Sequence, residues 1–288
     1  MNKKIALPAL CFFLIFGSAL CSLNLKRASA TSAVGGKTLV LYDAAAGALP
    51  AAPLMNFTDF PAGVASPTYE NGVTIMDTTT SGSSTYAGWI SNGSATHGFP
   101  ILDRTAGFQV DFTVQVENES HTNNSRAGFS IIILGQDVKG IELAFWENEI
   151  WAQNDENTGG LFKHGEGTTF ATTAGLIHYQ VIVVNDTYTL TANNKPILTG
   201  PLRDYSKFSG FPDPYETPNF LFLGDDTTSA QSRIRLGLVS VTGTERTTTT
   251  SSPLPANSPT PSLDIAPFPS PTPTMKAFKF CPFTHYRP

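Results

Sequence analysis

The chain of 288 residues contains only three cysteines, and none of them lies in its central region. Cys11 and Cys21 belong to an N-terminal apolar run, and Cys281 lies close to the C-terminus. Disulfide frameworks and cysteine-based metal sites need several cysteines at suitable spacing, so the sequence excludes both from the central region. Buried apolar side chains must therefore stabilise this region, and about 210 residues suffice for one large core.

Basic residues are also scarce between the two ends of the chain. From Thr31 to Glu245 there are 22 aspartates and glutamates but only 10 lysines and arginines, which is an excess of 12 negative charges. A protein that binds nucleic acid needs a basic patch for the phosphates, so this composition excludes nucleic acid as a partner. It is compatible with neutral glycans, with divalent cations or with no small ligand.

Two common catalytic signatures are missing as well. The histidines lack the H-x-H or H-x-x-x-H spacing of zinc sites, and there is no Gly-x-Ser-x-Gly elbow of a serine hydrolase. The sequence therefore argues against a zinc enzyme and against a Ser-His-Asp hydrolase.

The N-terminal 30 residues have the pattern of a secretory signal peptide. Lys3 and Lys4 precede an apolar run of 17 residues, Ile5–Cys21, and Ala28-Ser29-Ala30 matches an A-x-A cleavage site. A membrane anchor is the alternative, but the run is short for a span of about 20 residues and contains a proline. The sequence predicts cleavage near Thr31, no stable transmembrane span in the mature chain, and a secreted or cell-surface location.

The composition changes abruptly after the central region. Residues 244–274 are rich in proline, serine and threonine, which predicts a disordered linker or stalk, and residues 275–288 form a short basic and aromatic tail. The role of this tail and of Cys281 is left open by the sequence.

The central region shows period-2 alternation of apolar and polar residues in short runs separated by turn residues. This pattern predicts an all-β fold of antiparallel strands, arranged as a two-sheet jelly-roll sandwich. We find no long amphipathic helix. The candidate strands are 38–42, 72–77, 85–90, 107–117, 127–134, 140–146, 149–153, 177–184, 188–192, 219–223 and 233–241. Residues 203–218 contain three prolines, which predicts a long loop that opens with a helical turn at 202–205.

One predicted hairpin, Gly140–Asp155, carries the most distinctive side chains. A turn at Glu147-Asn148 would pair Phe145 with Ile150 on a core face and would leave a second face of aromatic and polar groups. Sugars stack their C–H faces on indole rings and donate hydroxyls to carboxylates and amides, so this face is the candidate glycan-binding surface. Packing of both indoles beneath a loop is the alternative. The residues of the face are Trp146, Trp151, Glu142, Glu149 and Gln153.

A second predicted hairpin turns at Asn185-Asp186. Its core face would pair Val183 with Tyr188 and Val181 with Leu190. Its opposite face would extend the candidate glycan surface if both hairpins belong to one sheet, and it consists of His178, Gln180, Thr189 and Thr191.

The order of motifs resembles that of the concanavalin-A-like lectin/glucanase superfamily, and in particular the laminin-G-like domains of secreted or surface-attached bacterial proteins. The residues that carry the resemblance are GIELAFWENEIWAQND at 140–155, LFKHGEGTTF at 161–170, HYQVIVVNDTYTLTANNKPILTGPL at 178–202 and NFLFLGDDTTSAQSRIRLGLVSVTG at 219–243. The resemblance implies one jelly-roll domain over residues 37–243. Domains of this kind serve as sugar binders, adhesion modules or enzymes.

Three functions are compatible with this resemblance. The favoured one is a non-catalytic extracellular recognition or adhesion module that binds glycans or extracellular matrix. The second is a glucanase-type glycoside hydrolase, whose carboxylates would be Glu142 with Glu149 or Glu147 with Glu149. The family's strand motif has an aspartate where this chain has Ala144, which argues against catalysis. The third is a structural surface protein without a small ligand.

Asp225 and Asp226 form the one candidate metal site. They follow a predicted strand, where lectin and laminin-G-like domains hold calcium, but calcium needs six to eight oxygen ligands and a strand-ending turn is the alternative. The sequence predicts no other cofactor.

Overall fold

The computed structural model describes residues 34–80, 85–210 and 212–246. The predicted signal peptide, most of the predicted stalk and the tail with Cys281 lie outside these residues. The described part contains fifteen strands and a single 3-10 turn at Ala44–Ala46. No helix in it is therefore long enough to cross a membrane. The predicted helical turn at 202–205 is wrong, because this segment pairs with the start of a strand through an Arg203–Gly140 bridge instead.

The strands form two antiparallel sheets, which confirms the predicted all-β sandwich. Sheet A has the order β13-β12-β11-β6-β15-β4-β3, and β1 pairs with β15 beside β4. Its strands are β1 (Lys37–Asp43), β3 (Thr68–Glu70), β4 (Val73–Asp77), β6 (Phe108–His121), β11 (Ile177–Val184), β12 (Thr187–Ala192), β13 (Lys195–Pro201) and β15 (Ala230–Gly243).

Sheet B has the order β10-β9-β8-β7-β14-β5-β2. Its strands are β2 (Asn56–Phe60), β5 (Tyr86–Asn92), β7 (Ser130–Leu134), β8 (Gly140–Phe145), β9 (Glu149–Gln153), β10 (His164–Thr169) and β14 (Phe220–Asp225). The predicted pairing of Phe145 with Ile150 in β8 and β9 is confirmed, and Ala144 pairs with Trp151 in the same register. The pairing of Val183 with Tyr188 in β11 and β12 is confirmed too.

The main core lies between the inner faces of the two sheets. Alternation along β6 directs five apolar side chains inward, and each of them is at most 1% exposed: Phe108, Val110, Phe112, Val114 and Val116. They meet inward side chains of sheet B such as Phe145, whose ring lies edge-on to Phe112 with centroids 5.9 Å apart. Burial of this apolar area drives the packing of the sheets at about 25 cal/mol per Å².

A second, smaller core covers the outer face of sheet B. The runs 129–134 and 220–223 are apolar on both faces, which predicts strands in mid-sheet beneath loops, and β7 and β14 are indeed central strands of sheet B. Their outward side chains pack against the long loop between β13 and β14 and the loop between β9 and β10. The members of this outer cluster are Ile132, Leu134, Phe220 and Phe222 from the strands and Leu161, Phe162, Tyr205, Phe208 and Tyr215 from the loops.

Candidate functional site

The outer face of sheet B holds a cleft of about 630 Å³, which we call the sheet-B cleft. Its size is typical of sites that enclose small ligands. Outward side chains of β5, β7, β8, β9 and β14 form its floor, because alternate residues of a strand point to the same face. The floor includes Tyr86, Gly88, Ile90, Ile132, Glu142, Gln153, Phe220 and Phe222.

Loops that rise from the sheet form the walls of the cleft. The loop between β13 and β14 contributes Phe208, Pro212, Pro214 and Tyr215, and the loop between β9 and β10 contributes Phe162. Ring contacts hold these loops together, since Phe162 lies 5.1 Å from Phe208 and 5.3 Å from Tyr215 between centroids. The walls are therefore largely aromatic.

Glu142 of β8 lies at the bottom of the cleft and is only 2% exposed. The hydroxyl of Tyr215 donates a hydrogen bond of 2.6 Å to its Oε2. Tyr205 links the backbones of β8 and β9 at this position. Its hydroxyl accepts a hydrogen bond from the Glu142 N–H and donates one to the Gln153 carbonyl. Burial raises the pKa of Glu142 well above its usual value, and the charge of Asp226 raises it further, whereas Tyr215 and Arg126 lower it.

Asp226 lines the same cleft, and its carboxyl group is close enough to that of Glu142 for the two to share a hydrogen bond. A hydrogen bond between two carboxyl groups requires a proton on one of them. Burial also raises the pKa of Asp226, but the bond from Glu142 and the charge of Arg126 oppose this effect. Burial therefore raises the pKa of Glu142 further than that of Asp226, so Glu142 is the member of the pair that ionises last.

Arg126 lines the same cleft and neutralises this charge in part. Its Nη1 donates to the carbonyls of Ser125 at 2.6 Å and Phe162 at 2.9 Å. Its guanidinium carbon lies 5.7 Å from the centroid of the Phe162 ring, a cation–π distance. Backbone and ring contacts therefore fix the guanidinium in place.

Gln153 of β9 supplies an unused hydrogen-bond acceptor. The residue is 3% exposed, and its Nε2 donates to the Ser125 carbonyl at 3.3 Å. Its Oε1 is buried and has no hydrogen-bond partner. Buried polar atoms are normally paired, so an orphaned amide oxygen at the floor of a cleft marks a position where a ligand donor would bind.

The structure divides the predicted glycan-binding face between two environments. Glu142 and Gln153 line the cleft, whereas Trp146, Trp151 and Glu149 do not. Trp151 is fully buried, and the ring of His164 stacks on it at 4.3 Å. Because no indole surface of Trp151 is accessible, the expected exposed platform is corrected: this ring packs beneath a histidine and cannot stack on a sugar.

Trp146 and Glu149 belong to the same covered region. Trp146 is half-buried, stacks on His121 at 4.2 Å and donates from its indole nitrogen to the Arg126 carbonyl at 2.8 Å. Glu149 forms an ion pair with His164 at 3.2 Å. These contacts give both side chains structural partners outside the cleft.

The carboxylates expected for glycoside hydrolysis do not meet. Glu149 precedes Gln153 by four residues on β9, and at about 3.3 Å per residue this places it about 13 Å along the strand. The continued register of β8 and β9 sets Glu142 beside Gln153. A glycosidase pair is separated by roughly 5 to 9.5 Å. Glu147 lies in the turn, where its carboxylate accepts from the Glu119 N–H.

The two aspartates predicted to bind calcium contact different partners. Asp225 is fully buried and accepts from the Thr78 hydroxyl at 2.7 Å and from the Thr227 N–H at 3.2 Å, whereas Asp226 contacts Glu142. Within the described residues, no group of three or more histidine, cysteine, aspartate or glutamate side chains could hold a metal ion. Calcium at these aspartates therefore gains no support from the side chains around them.

The second hairpin does not extend the site, because β11 and β12 belong to sheet A. His178 and Gln180 instead both contact Asp111 on that sheet, at 3.2 Å and 2.8 Å. Sequence reasoning also missed Tyr215 and Arg126, which lie in loops. Asp226, the residue after the end of β14, was predicted from the sequence as a calcium ligand but not as a partner of Glu142.

No protein-family model and no curated protein matches the sequence. Solved structures match over most of the chain, at low identity. A carbohydrate esterase of a Shiga toxin-encoding bacteriophage is 12% identical, with a TM-score of 0.47, over 73% of this chain and 100% of its own. The lumenal domain of VIP36, solved with calcium and mannose, is 11% identical, with a TM-score of 0.41. The match covers 74% of this chain and 91% of the VIP36 domain. An endo-β-1,3-glucanase of Pyrococcus furiosus is 11% identical, with a TM-score of 0.40. The match covers 66% of this chain and 88% of the glucanase.

Identities and TM-scores this low carry no argument about the family or the ligand of this chain. The sandwich architecture rests on the two antiparallel sheets of the described residues.

Proposed function

We propose that this protein is a secreted or cell-surface recognition module that binds glycans in the sheet-B cleft without cleaving them. The observation that carries the proposal is the free acceptor Oε1 of Gln153 at the floor of a cleft with aromatic walls. Aromatic rings bind the C–H faces of sugars, and buried acceptors take their hydroxyl protons. The carboxyl pair of Glu142 and Asp226 adds a charged acceptor beside Gln153.

This proposal keeps part of the predicted site and reassigns the rest. Glu142 and Gln153 contact the ligand, and Asp226 joins them. Trp146, Trp151 and Glu149 support the cleft from the neighbouring part of the same face. Glucanase-type hydrolysis is not favoured, because Glu142 and Glu149 lie about 13 Å apart along the strands and Glu147 accepts a hydrogen bond from the Glu119 N–H in the turn.

A glycan array with the purified protein tests the proposal. We expect binding to at least one class of glycan, and we expect Gln153→Met to weaken it about tenfold, because it removes the acceptor at similar side-chain volume. Gln180→Met is the matched control, since Gln180 is a strand glutamine of sheet A that bonds to Asp111. A blank array would favour a structural surface protein, and release of reducing ends from bound glycans would favour the hydrolase.

Two subsidiary proposals have separate tests. Cleavage after Ala30 and export predict that N-terminal sequencing of the secreted protein begins at Thr31. Calcium at Asp225 and Asp226 predicts that EDTA weakens glycan binding and that added calcium restores it. Identical binding in EDTA and in calcium would exclude a role for calcium in recognition.

A further inference from the structure

We propose that the sheet-B cleft selects neutral, hydroxyl-rich sugars and rejects sugars that carry a carboxylate or sulfate. The inference rests on the proposed glycan-binding function and names the ligand class for the same cleft. It follows from the balance of donors and acceptors, from the charges that line the cleft, and from the carboxyl pair of Glu142 and Asp226.

Three donors at the bottom of the cleft already have partners inside the protein. The Tyr215 hydroxyl donates to Glu142, and the Tyr205 hydroxyl donates to the Gln153 carbonyl. The Gln153 amide nitrogen donates to the Ser125 carbonyl. The acceptor Oε1 of the same amide is buried without a partner. A ligand that donates hydrogen bonds complements this arrangement, whereas a carboxylate or sulfate only accepts them.

The charges around the cleft also favour neutral sugars over anionic ones. Among its described lining residues, four carboxyl groups, those of Asp59, Glu142, Asp225 and Asp226, stand against one guanidinium. That guanidinium, Arg126, is held by two backbone carbonyls and by the face of Phe162. Burial raises the pKa of Glu142 and of Asp225, but Asp59 and Asp226 still outnumber the one guanidinium, so an anionic sugar would enter a cleft with excess negative charge. Juxtaposed like charges of this kind are a general means of rejecting wrong partners.

The carboxyl pair gives the cleft one charged acceptor without a second full charge. Burial raises the pKa of Glu142 above that of Asp226, so Glu142 is the hydrogen-bond donor of the pair when it is protonated, and Asp226 keeps part of its surface open to the cleft. A sugar hydroxyl can donate to that carboxylate, and charge-assisted bonds of this kind are stronger than neutral ones. A ligand carboxylate at the same position would bring two negative charges together.

Matched oligosaccharides test this selectivity. Hexamers of mannose, glucose and galactose would be compared with hexamers of mannuronate, glucuronate and galacturonate by isothermal titration calorimetry on the full chain. We expect a neutral series to bind at least about tenfold more tightly than its uronate counterpart. Asp226→Asn should reduce this ratio, because it removes the charge at nearly constant shape.

Glu149→Gln is the matched control, since Glu149 lies outside the cleft and its loss should not alter the ratio. Melting curves would establish that each variant is folded. Equal or tighter binding of the uronates would overturn the inference and leave glycan binding intact. An unchanged ratio in folded Asp226→Asn would equally overturn it, because the selectivity would then have another origin. Failure of every hexamer and of the array would overturn the proposed function together with the inference.

Discussion

Trp151 of β9 stabilises the protein by filling space beneath His164 of the adjacent strand β10. Its side chain is fully buried, and its ring is stacked on His164 and in edge contact with Trp146 at 5.4 Å. We expect Trp151→Ala to lower the free energy of unfolding by about 3–5 kcal/mol, which is the usual cost of deleting a buried tryptophan side chain. Urea denaturation measures this change.

Trp146→Ala is the matched control, because Trp146 is only half-buried and the expected loss is smaller. If Trp151→Ala instead left stability unchanged and abolished glycan binding, the indole would be a ligand contact after all, and the cleft would not be the whole site.

For single residues, the sequence predicts the face of the strand to which a side chain points better than it predicts whether that side chain is exposed to solvent. Alternation along β8 and β9 correctly predicts that Glu142, Trp151 and Gln153 point away from the main core, because the side-chain period of a strand is two. Whether such a side chain meets solvent, a loop or a cleft depends on loops far away in sequence. The hydrogen bond between Tyr215 and Glu142 spans 73 positions and no local pattern encodes it.

A pair of facing glycines shapes the floor of the cleft at the level of strands. Gly88 of β5 pairs with Gly224 of β14, and the ring of Phe222 lies over Gly88. A Cβ at position 88 would lie 2.5 Å from Phe222 Cε2 and 2.6 Å from the Leu223 carbonyl oxygen. Both distances are shorter than a side chain tolerates, and the backbone oxygen cannot move without disturbing the pairing of β5 with β14.

We therefore expect Gly88→Ala to lower the free energy of unfolding by about 1–3 kcal/mol, as for other overpacked positions, and to weaken glycan binding by displacing Phe222. Thermal melts and calorimetry measure the two effects. Gly237→Ala in β15 is the control, because its Cβ would meet Thr113 only at 3.4 Å. Equal melting temperatures for Gly88→Ala and the wild type would contradict the expectation.

Apart from β1, which pairs with β15 alone, the strands found from the sequence are inner ones, and the strands missed are those at the ends of the sheets. All eleven predicted strands are present with small changes at their bounds. The four missed strands, β2, β3, β10 and β13, are the terminal strands of sheets A and B. An edge strand has one free side and tolerates residues that a central strand excludes. β13 contains Pro196 and Pro201, and β10 contains Gly165 and Gly167, so both resemble loops in sequence.

Buried carboxyl groups set the pH dependence of the whole molecule. Burial raises the pKa values of Glu142, Asp225 and Asp226, so the folded protein binds protons that the unfolded chain has already released. Stability from these groups is therefore complete below the ordinary carboxyl pKa of about 4 and is lost as pH rises through the raised values. The excess of acidic residues adds self-repulsion at higher pH.

We expect the melting temperature to be higher near pH 5 than near pH 8, and we expect Glu142→Gln to flatten this decline because it removes one titrating group. Scanning calorimetry between pH 5 and pH 8 measures the melting temperatures of both proteins. Below about pH 4 the opposite trend should appear. The pKa of Asp155 is lowered overall, because hydrogen bonds from Asp204, Thr158 and Asn157 outweigh its burial, so its stabilising ionisation is lost in acid. A melting temperature that rises steadily from pH 5 to pH 8 would contradict this account.

The pairing of β1 with β15 brings the two ends of the jelly roll together, since Lys37 lies opposite Gly243. Opposed residues of antiparallel strands are only about 5 Å apart. A domain whose two chain ends lie side by side can be inserted into an exposed turn of a host protein without widening that turn. It can also be circularly permuted, with a short linker across the old ends and new ends at a hairpin such as Asn193-Asn194. The jelly-roll domain can therefore be inserted into other proteins as a single unit.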